Sequence, residues 1–360
     1  MAATSEVEGL APDAGASILD SIDALRYRAQ HYGLTLGLGV PGRVWSLLMA
    51  PRQARFDRAL VGRLQARYDA LLARDLDNVA RGIYPRTLLH QFPLLDYLRC
   101  LPAALLDVPR FVLRSYQGNH DDLPPDIDRG RYPHYYLRTF HWQTDGWLSE
   151  RSARLYDASV EFLFAGTADI MRRMAIPPVV ESVRGTPRPR ILDIGCGTGR
   201  FLLQLHTALP RARLVGLDLS PPYLRQAGML LAAADVSLMA DNAEAMPLAD
   251  GQFDAVTSVF LFHELPSDAR RRVMREAWRV LKPGGRFVVL DSAQLADSAE
   301  LEPVLASFPA SYHEPYYKGY LRDDLAAVMR TCGFEVEESA PQLVSKLVVG
   351  RKRARRRAAR

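Results

Sequence analysis

A chain of 360 residues can hold one large domain or two ordinary ones, and 48% hydrophobic with 24% charged residues exclude a disordered or fibrous protein. The formal charge of +5 is carried by the C-terminus: residues 351–360 hold seven basic groups and no acid, so the remaining body stands at −2, which excludes a broadly basic nucleic-acid-binding body. Cys100, Cys196 and Cys332 lie far apart without a C-x-x-C pair, which excludes a disulfide framework and a cysteine zinc site.

Residues 1–16 are rich in Ala, Gly and Glu and are expected to be disordered. No basic leader followed by an apolar run is legible there, and no window of about 18 apolar residues occurs, so the expected location is the cytoplasm. Ser17 opens a helical pattern of Ile18, Ile22, Leu25 and Ala29 that is expected to run to about Tyr32, where Gly33, Gly37, Gly39, Pro41 and Gly42 break it. Phe56, Leu60, Leu64, Tyr68, Leu71 and Leu72 predict a longer helix over 53–80. From Arg86 to Tyr116, prolines at 93, 102 and 109 punctuate an apolar stretch, which reads as three short helices. Residues 17–150 are thus a mainly helical N-terminal region, a cap or a subdomain.

His120, Asp121 and Asp122 lack metal-ligand spacing, so a solvated loop is expected and no metal. The run Phe140-His141-Trp142-Gln143-Thr144-Asp145-Gly146-Trp147 offers rigid apolar walls with polar handles, suited either to a substrate pocket or to packing between the N-terminal region and the rest. Ser149 is a natural N-cap for a helix over about 150–175, followed by Pro177-Pro178, a brief second helix and a linker at 184–189.

Ile191-Leu192-Asp193-Ile194 then runs into Gly195-Cys196-Gly197-Thr198-Gly199 and an apolar-periodic helix: a buried strand, a tight turn and a helix N-terminus. A dinucleotide fingerprint requires G-x-G-x-x-G, and Arg200 occupies the place of its third glycine, which sets a nicotinamide dehydrogenase aside. Leu214 to Leu219 reads as a second strand ending in Asp218, an acid placed to grip a ribose diol or to cap the helix that opens at Pro221-Pro222. Leu238-Met239-Ala240-Asp241-Asn242, Phe253 to Phe260, Phe262-His263-Glu264-Leu265 and Glu276 to Asp291 with its Pro283-Gly284-Gly285 turn follow in order. An insertion at 299–319 carries Tyr312-His313-Glu314-Pro315-Tyr316, then come a helix over 321–332 stopped by Gly333 and two alternating strands, 334–338 and 343–349.

Taken together over about residues 185–350, these motifs resemble the class I S-adenosylmethionine-dependent methyltransferases, most of all the small-molecule, type 11 and ubiquinone–menaquinone biosynthesis kind. The resemblance implies an α/β, Rossmann-like seven-stranded sheet, mostly parallel with an antiparallel last strand and helices on both faces, over 151–350, with 351–360 a disordered basic tail. It implies S-adenosyl-L-methionine as cofactor, with Asp193, Gly195, Cys196, Gly197 and Gly199 near its methionine end. Asp218 would then lie at the ribose and Asp241 and Asn242 at the adenine, Phe260 would turn its backbone to the methionine end and its ring to the active site, and Leu219 would also touch the cofactor. The reaction would be in-line transfer of a methyl group to a small apolar or aromatic acceptor (quinone, polyketide, terpenoid or lipid-like), with no metal. His263 is the first candidate for an acid–base role, with His313, Tyr312 and Tyr316 as rivals and His141 behind them; Trp142, Trp147, His141 and Tyr312 are the candidate acceptor pocket. The alternatives are a non-catalytic cofactor-binding protein and, on the strength of the tail alone, a nucleic-acid methyltransferase. The tail or the N-terminal helices could touch a membrane surface, and monomer and homodimer both stay open.

Overall fold

The computed structural model describes residues 22–37 and 57–353. The expected disordered stretch 1–16, the start of the first helix, the breakers Gly39, Pro41 and Gly42, and residues 354–360 of the tail lie outside the described residues.

Seven strands form one sheet in the order β3-β2-β1-β4-β5-β7-β6. They are β1 (Arg190–Ile194), β2 (Arg213–Asp218), β3 (Val236–Ala240), β4 (Phe253–Val259), β5 (Leu281–Ser292), β6 (Phe334–Pro341) and β7 (Ser345–Lys352). All pairings are parallel except those of β7, which runs antiparallel to both β5 and β6. Successive side chains of a strand point to opposite faces, and the burial follows: Ile191, Val288 and Leu290 join one apolar cluster, while Leu192, Phe287 and Val289 join the other. Helices cover both faces, as doubly wound parallel sheets require. The Pro283-Gly284-Gly285 turn is a bulge inside β5, where pairing steps from Phe253–Leu281 to Ala255–Arg286.

The N-terminal region consists of α1 (residues 22–37), α2 (Arg58–Ala80) and α3 (Leu94–Gln117), followed by α4 (Glu150–Leu163), α5 (Ala168–Arg173) and α6 (Ile176–Ser182). Tyr27, Leu71 and Tyr84 share their apolar cluster with Ile170, Ile191 and Val288, so these helices and the sheet have one continuous core. Past β1 come α7 (Arg200–Ala208), α8 (Pro221–Leu230), α9 (Ser267–Val280), α10 (Leu295–Ser298), α11 (Glu302–Ser311), α12 (Tyr317–Arg322) and α13 (Leu325–Thr331).

Several expected boundaries move. Gly33 does not stop α1, which continues to residue 37; a lone interior glycine costs only about 1 kcal/mol. The three short helices expected over 86–116 are a 3-10 turn at Arg86–His90 and one helix, α3, carrying Pro102 and Pro109 inside it. The single helix expected over 150–175 splits at Ala165 (φ 48°) and Gly166 (φ 80°), where the backbone turns left-handed. The helix expected over 321–332 begins at Leu325, capped by Asp324. Strand β7 continues through Lys352, two residues into the expected tail. Among the described residues no helix is long and apolar enough to cross a membrane.

One buried polar group joins the N-terminal helices to the core. Asp75, fully buried, receives Tyr27 and Tyr84 hydroxyls and the Arg173 guanidinium, the last through Nε at 2.9 Å. Burial pushes its carboxyl up, but Arg173 outweighs that and holds it below the ordinary carboxylate value. Removing one partner of such a pair leaves the other charge buried and uncompensated. Asp75→Ala is therefore expected to lower unfolding free energy by about 3–5 kcal/mol in a urea titration. Because the folded value is depressed, the wild-type contribution is present at neutral pH and is lost as pH falls through that folded value.

Candidate active site

The turn after β1 is held open by a carboxylate from β2. Asp218 Oδ2 accepts the Gly197 N–H at 2.8 Å and Oδ1 accepts the Ser220 N–H at 2.8 Å. Asp218 thus braces the glycine turn, a role the sequence did not suggest, and also faces the cavity beyond the strand ends. Ser220, not Asp218, caps α8, its Oγ accepting from Tyr223 N–H. Gly197 (φ 54°) has nothing within 4 Å of where a Cβ would stand, so its Cα faces open space. Gly199 (φ 81°) is different: a Cβ there would meet Leu231 at 2.8 Å and Ala227 at 3.1 Å, so this glycine lets α8 approach the turn.

The cavity at the carboxyl ends of β1, β2 and β4 is lined by Asp193, Gly195, Cys196, Gly197, Asp218, Leu219, Asp241, Asn242 and Phe260. Gly199 is absent from that wall because it packs on α8. Asp193 is buried and its Oδ1 accepts the Thr257 hydroxyl at 2.7 Å; burial pushes its carboxyl up to about 7. Phe260 adopts φ 56°, with its N–H on Leu290 O and its ring stacked on Phe164 at 5.8 Å, a strained residue held in place from both sides.

The N-terminal region closes the cavity with Tyr135, Tyr136, Phe140 and Trp147, and α4 and α5 add Tyr156, Asp157 and Arg172. Phe140 and Trp147 stack at 4.3 Å. Of the expected acceptor-pocket residues, Trp147 alone reaches the cavity wall. Trp142 turns toward His313, with ring centroids 5.1 Å apart, and Tyr312 packs on Phe308 and Phe111. His313 stacks on His120 at 4.8 Å, and burial lowers its imidazole to about 4. Tyr316 lies edge-on to Tyr135 at 6.2 Å. His313, Tyr312 and Tyr316 therefore do not line the cavity: the insertion packs their rings against the aromatic turns at 120–142 instead of the strand ends.

His263 is buried behind the wall, its Nδ1 2.7 Å from Asp291 Oδ1 and its Nε2 3.5 Å from Glu264 Oε1. His141 Nε2 lies 2.8 Å from the same Glu264 oxygen and its Nδ1 3.1 Å from Glu314 Oε1. Glu264 itself lines the cavity. Burial opposes ionisation of all these groups, but Asp291, Glu264 and Glu314 hold both imidazoles above their ordinary value, and the two imidazoles hold Glu264 well below its own. Burial and the neighbouring Glu264 push Glu314 up to about 8. Sequence reading missed Glu264, Asp291 and Glu314 as site residues. Glu264 was visible only as the neighbour of His263, and Asp291 as the end of a strand.

A family profile described as a methyltransferase domain matches residues 191–285. A demethylmenaquinone methyltransferase from Thermus thermophilus is 38% identical over 138 residues, 38% of this chain and 60% of that protein. A ubiquinone/menaquinone biosynthesis C-methyltransferase from Syntrophotalea carbinolica is 33% identical over 184 residues, 50% of this chain and 73% of that protein. The chain belongs to the class I S-adenosylmethionine-dependent methyltransferases. A second C-methyltransferase of the same description, from Desulfotalea psychrophila, is 29% identical over 195 residues and covers 76% of that protein. The match spans less than two thirds of the Thermus relative's length, and the helices α1 to α3 precede the stretch matched by the family profile.

The family's cofactor is S-adenosyl-L-methionine, and the residues of this chain fit it: an acid at the end of β2, open space over Gly197, and a buried acid at β1. The two glycines should separate in their effects. Gly199→Ala adds a clash to left-handed strain, and is expected to lower stability by about 2–4 kcal/mol. Gly197→Ala adds strain alone, about 1–2 kcal/mol, but projects a methyl into the cavity. Thermal unfolding and cofactor calorimetry on both variants check this; equal loss of stability in the two would contradict it.

Proposed function

We propose that this chain transfers a methyl group from S-adenosyl-L-methionine to a small, apolar, quinone-like acceptor. The observation that carries the reading is the cavity itself: a glycine turn pinned by Asp218 on one side and an aromatic wall from the N-terminal region on the other. When bound, the cofactor supplies a methyl carbon already activated by a positive sulfur, so the protein's task is alignment and exclusion of water. Asp218 holds the ribose diol; Asp241 and Asn242 hold the adenine end. Asp193 and the backbone at Gly195, Cys196 and Gly197 hold the methionine end, and Leu219 and Phe260 complete the wall. Tyr135, Tyr136, Phe140 and Trp147 orient a flat apolar acceptor and keep water out. Glu264 presents a carboxylate to the acceptor side, oriented by His141 and His263. The curated relatives' quinone substrates support an aromatic acceptor for this chain.

The acceptor's route also has a surface. Helix α3 exposes Leu95, Leu98, Leu105, Leu106 and Leu113, each more than half exposed, along one broad face, with Arg99 and Arg110 at its edge. That face, about 27 Å long from Leu95 to Leu113 and about 10 Å wide, is smaller than the roughly 800 Å² per partner of a stable dimer. It fits an interfacial helix lying on lipid with its arginines at the headgroups. Away from that face the buried Arg114 donates to Trp142 O at 3.0 Å and ties the helix to the turn that carries Phe140.

Calorimetry with S-adenosylmethionine and its demethylated product is expected to show binding that Asp218→Ala weakens by about 10–100-fold, the loss of a charge-assisted hydrogen-bonding group. Unchanged affinity in that variant removes the reading. Affinity should also rise with pH through about 7, because ionised Asp193 favours the cationic methionine end and the buried neutral form does not; Asp193→Asn should flatten that profile. Co-sedimentation of the full chain with anionic lipid vesicles, abolished by Leu95→Ser with Leu105→Ser and Leu106→Ser, checks the surface.

A further inference from the structure

Beside the cavity lies a side-chain cluster that methyl transfer by alignment alone does not require. His141, Glu264 and Glu314 come from a turn before α4, the turn after β4 and the turn between α11 and α12, yet each can place one ligand atom within 4.8 Å of the others. Glu314 has a side chain with 0% exposure. Its Oε1 faces His141 Nδ1 at 3.1 Å, while its Oε2 and Oε2 of Glu264 are buried without a hydrogen-bond partner. Dry, unpaired carboxylate oxygens are strongly disfavoured unless a proton or a cation lies among them.

The surroundings hold these groups in place. His141 and Trp142 are consecutive non-glycine residues in the left-handed region, at φ 54° and 58°. That strained turn is clamped: Arg114 donates to Trp142 O and the His141 N–H donates to His313 O at 3.2 Å. Backbone strain of this kind persists where the fold over-determines a position, commonly at a functional site. His263, anchored on Asp291, approaches Glu264 from the other side. Three buried carboxyl groups (Glu264, Asp291 and Glu314) thus face two imidazoles in one buried cluster.

We propose that His141, Glu264 and Glu314 bind a divalent transition-metal ion at the acceptor side of the cavity. One imidazole with two carboxylates is a donor set for zinc, manganese or ferrous iron, whereas magnesium and calcium favour all-oxygen shells. Ligation requires a neutral imidazole and ionised carboxylates. His263 and Asp291 act as positioning residues for Glu264. Of the three ligands only Glu264 lines the cavity, so an ion held here would supply Lewis-acid chemistry to the acceptor side at Glu264, a role that rests on the function proposed above. The proposal departs from the expectation of no metal, which weighed only the adjacent His120, Asp121 and Asp122 and the needs of the cofactor; these ligands are 123 and 50 residues apart in the chain.

The test uses the full chain, purified without a metal-affinity step and stripped with chelator, titrated with Zn²⁺, Mn²⁺, Fe²⁺ and Mg²⁺ by calorimetry and thermal unfolding, with metal content read by mass spectrometry. Stoichiometric binding of a transition ion with a raised Tm is expected. His141→Gln and Glu314→Gln should each abolish it, Asp291→Asn should weaken it by about 10–100-fold, and Asp121→Asn, at a separate histidine–aspartate contact, should leave it intact. A chain that binds the demethylated cofactor but none of the ions overturns the metal site alone, as does a folded Glu314→Gln variant that binds as wild type. A chain that binds the ion but not the cofactor leaves the site standing and removes the proposed function instead.

Discussion

The contact between Asp218 and the Gly197 N–H is the constraint on which the site depends. It ties the end of β2 to the turn after β1 and so fixes where backbone amides face the cavity. The positive φ angles of Gly195, Gly197 and Gly199 are the local consequence of that tie. Gly199 admits α8, Gly195 lies against Leu261, and Gly197 leaves room for a ligand. Three glycines of one motif therefore do separate work: Gly199 packs on protein, Gly195 lines the cavity against Leu261, and Gly197 opens onto it.

Around that turn residues of the N-terminal region pack into the same apolar cluster as the sheet. Arg200, the first residue of α7, donates to Asp169 of α5 and to Gln91 O just before α3. Arg172 of α5 pairs with Asp169 and Glu161 and lies over the Phe260 ring. Buried pairs of this kind are poor sources of net stability but leave few alternative arrangements of the helices. The consequence is a cavity whose floor comes from the strand ends and whose cover comes from segments some fifty to a hundred residues upstream in the chain.

Local reading succeeded where one residue's neighbours in the chain are also its neighbours in space. The β1 turn, the acids closing β2 and β3, and the alternation along β5 all have that property. It failed at α3, where Pro102 and Pro109 argued for breaks. Seven residues apart, the two prolines fall on the same exposed side of one continuous helix, where the lost amide bonds face outward. It failed again at the rings of His313, Tyr312 and Tyr316, because nothing in the insertion's own sequence says which wall it will pack against.

The amino-acid sequence by itself determined the doubly wound sheet, the family and the residues along the cofactor edge, since strand periodicity, glycine spacing and terminal acids are short-range patterns. Only the tertiary structure decided that Asp218 both braces the turn and faces the cavity, that Trp147 and not Trp142 reaches the wall, and that His141, Glu264 and Glu314 meet. The reason is physical: those relations depend on packing between segments far apart in the chain, and on burial that turns ordinary polar residues into a single interacting cluster.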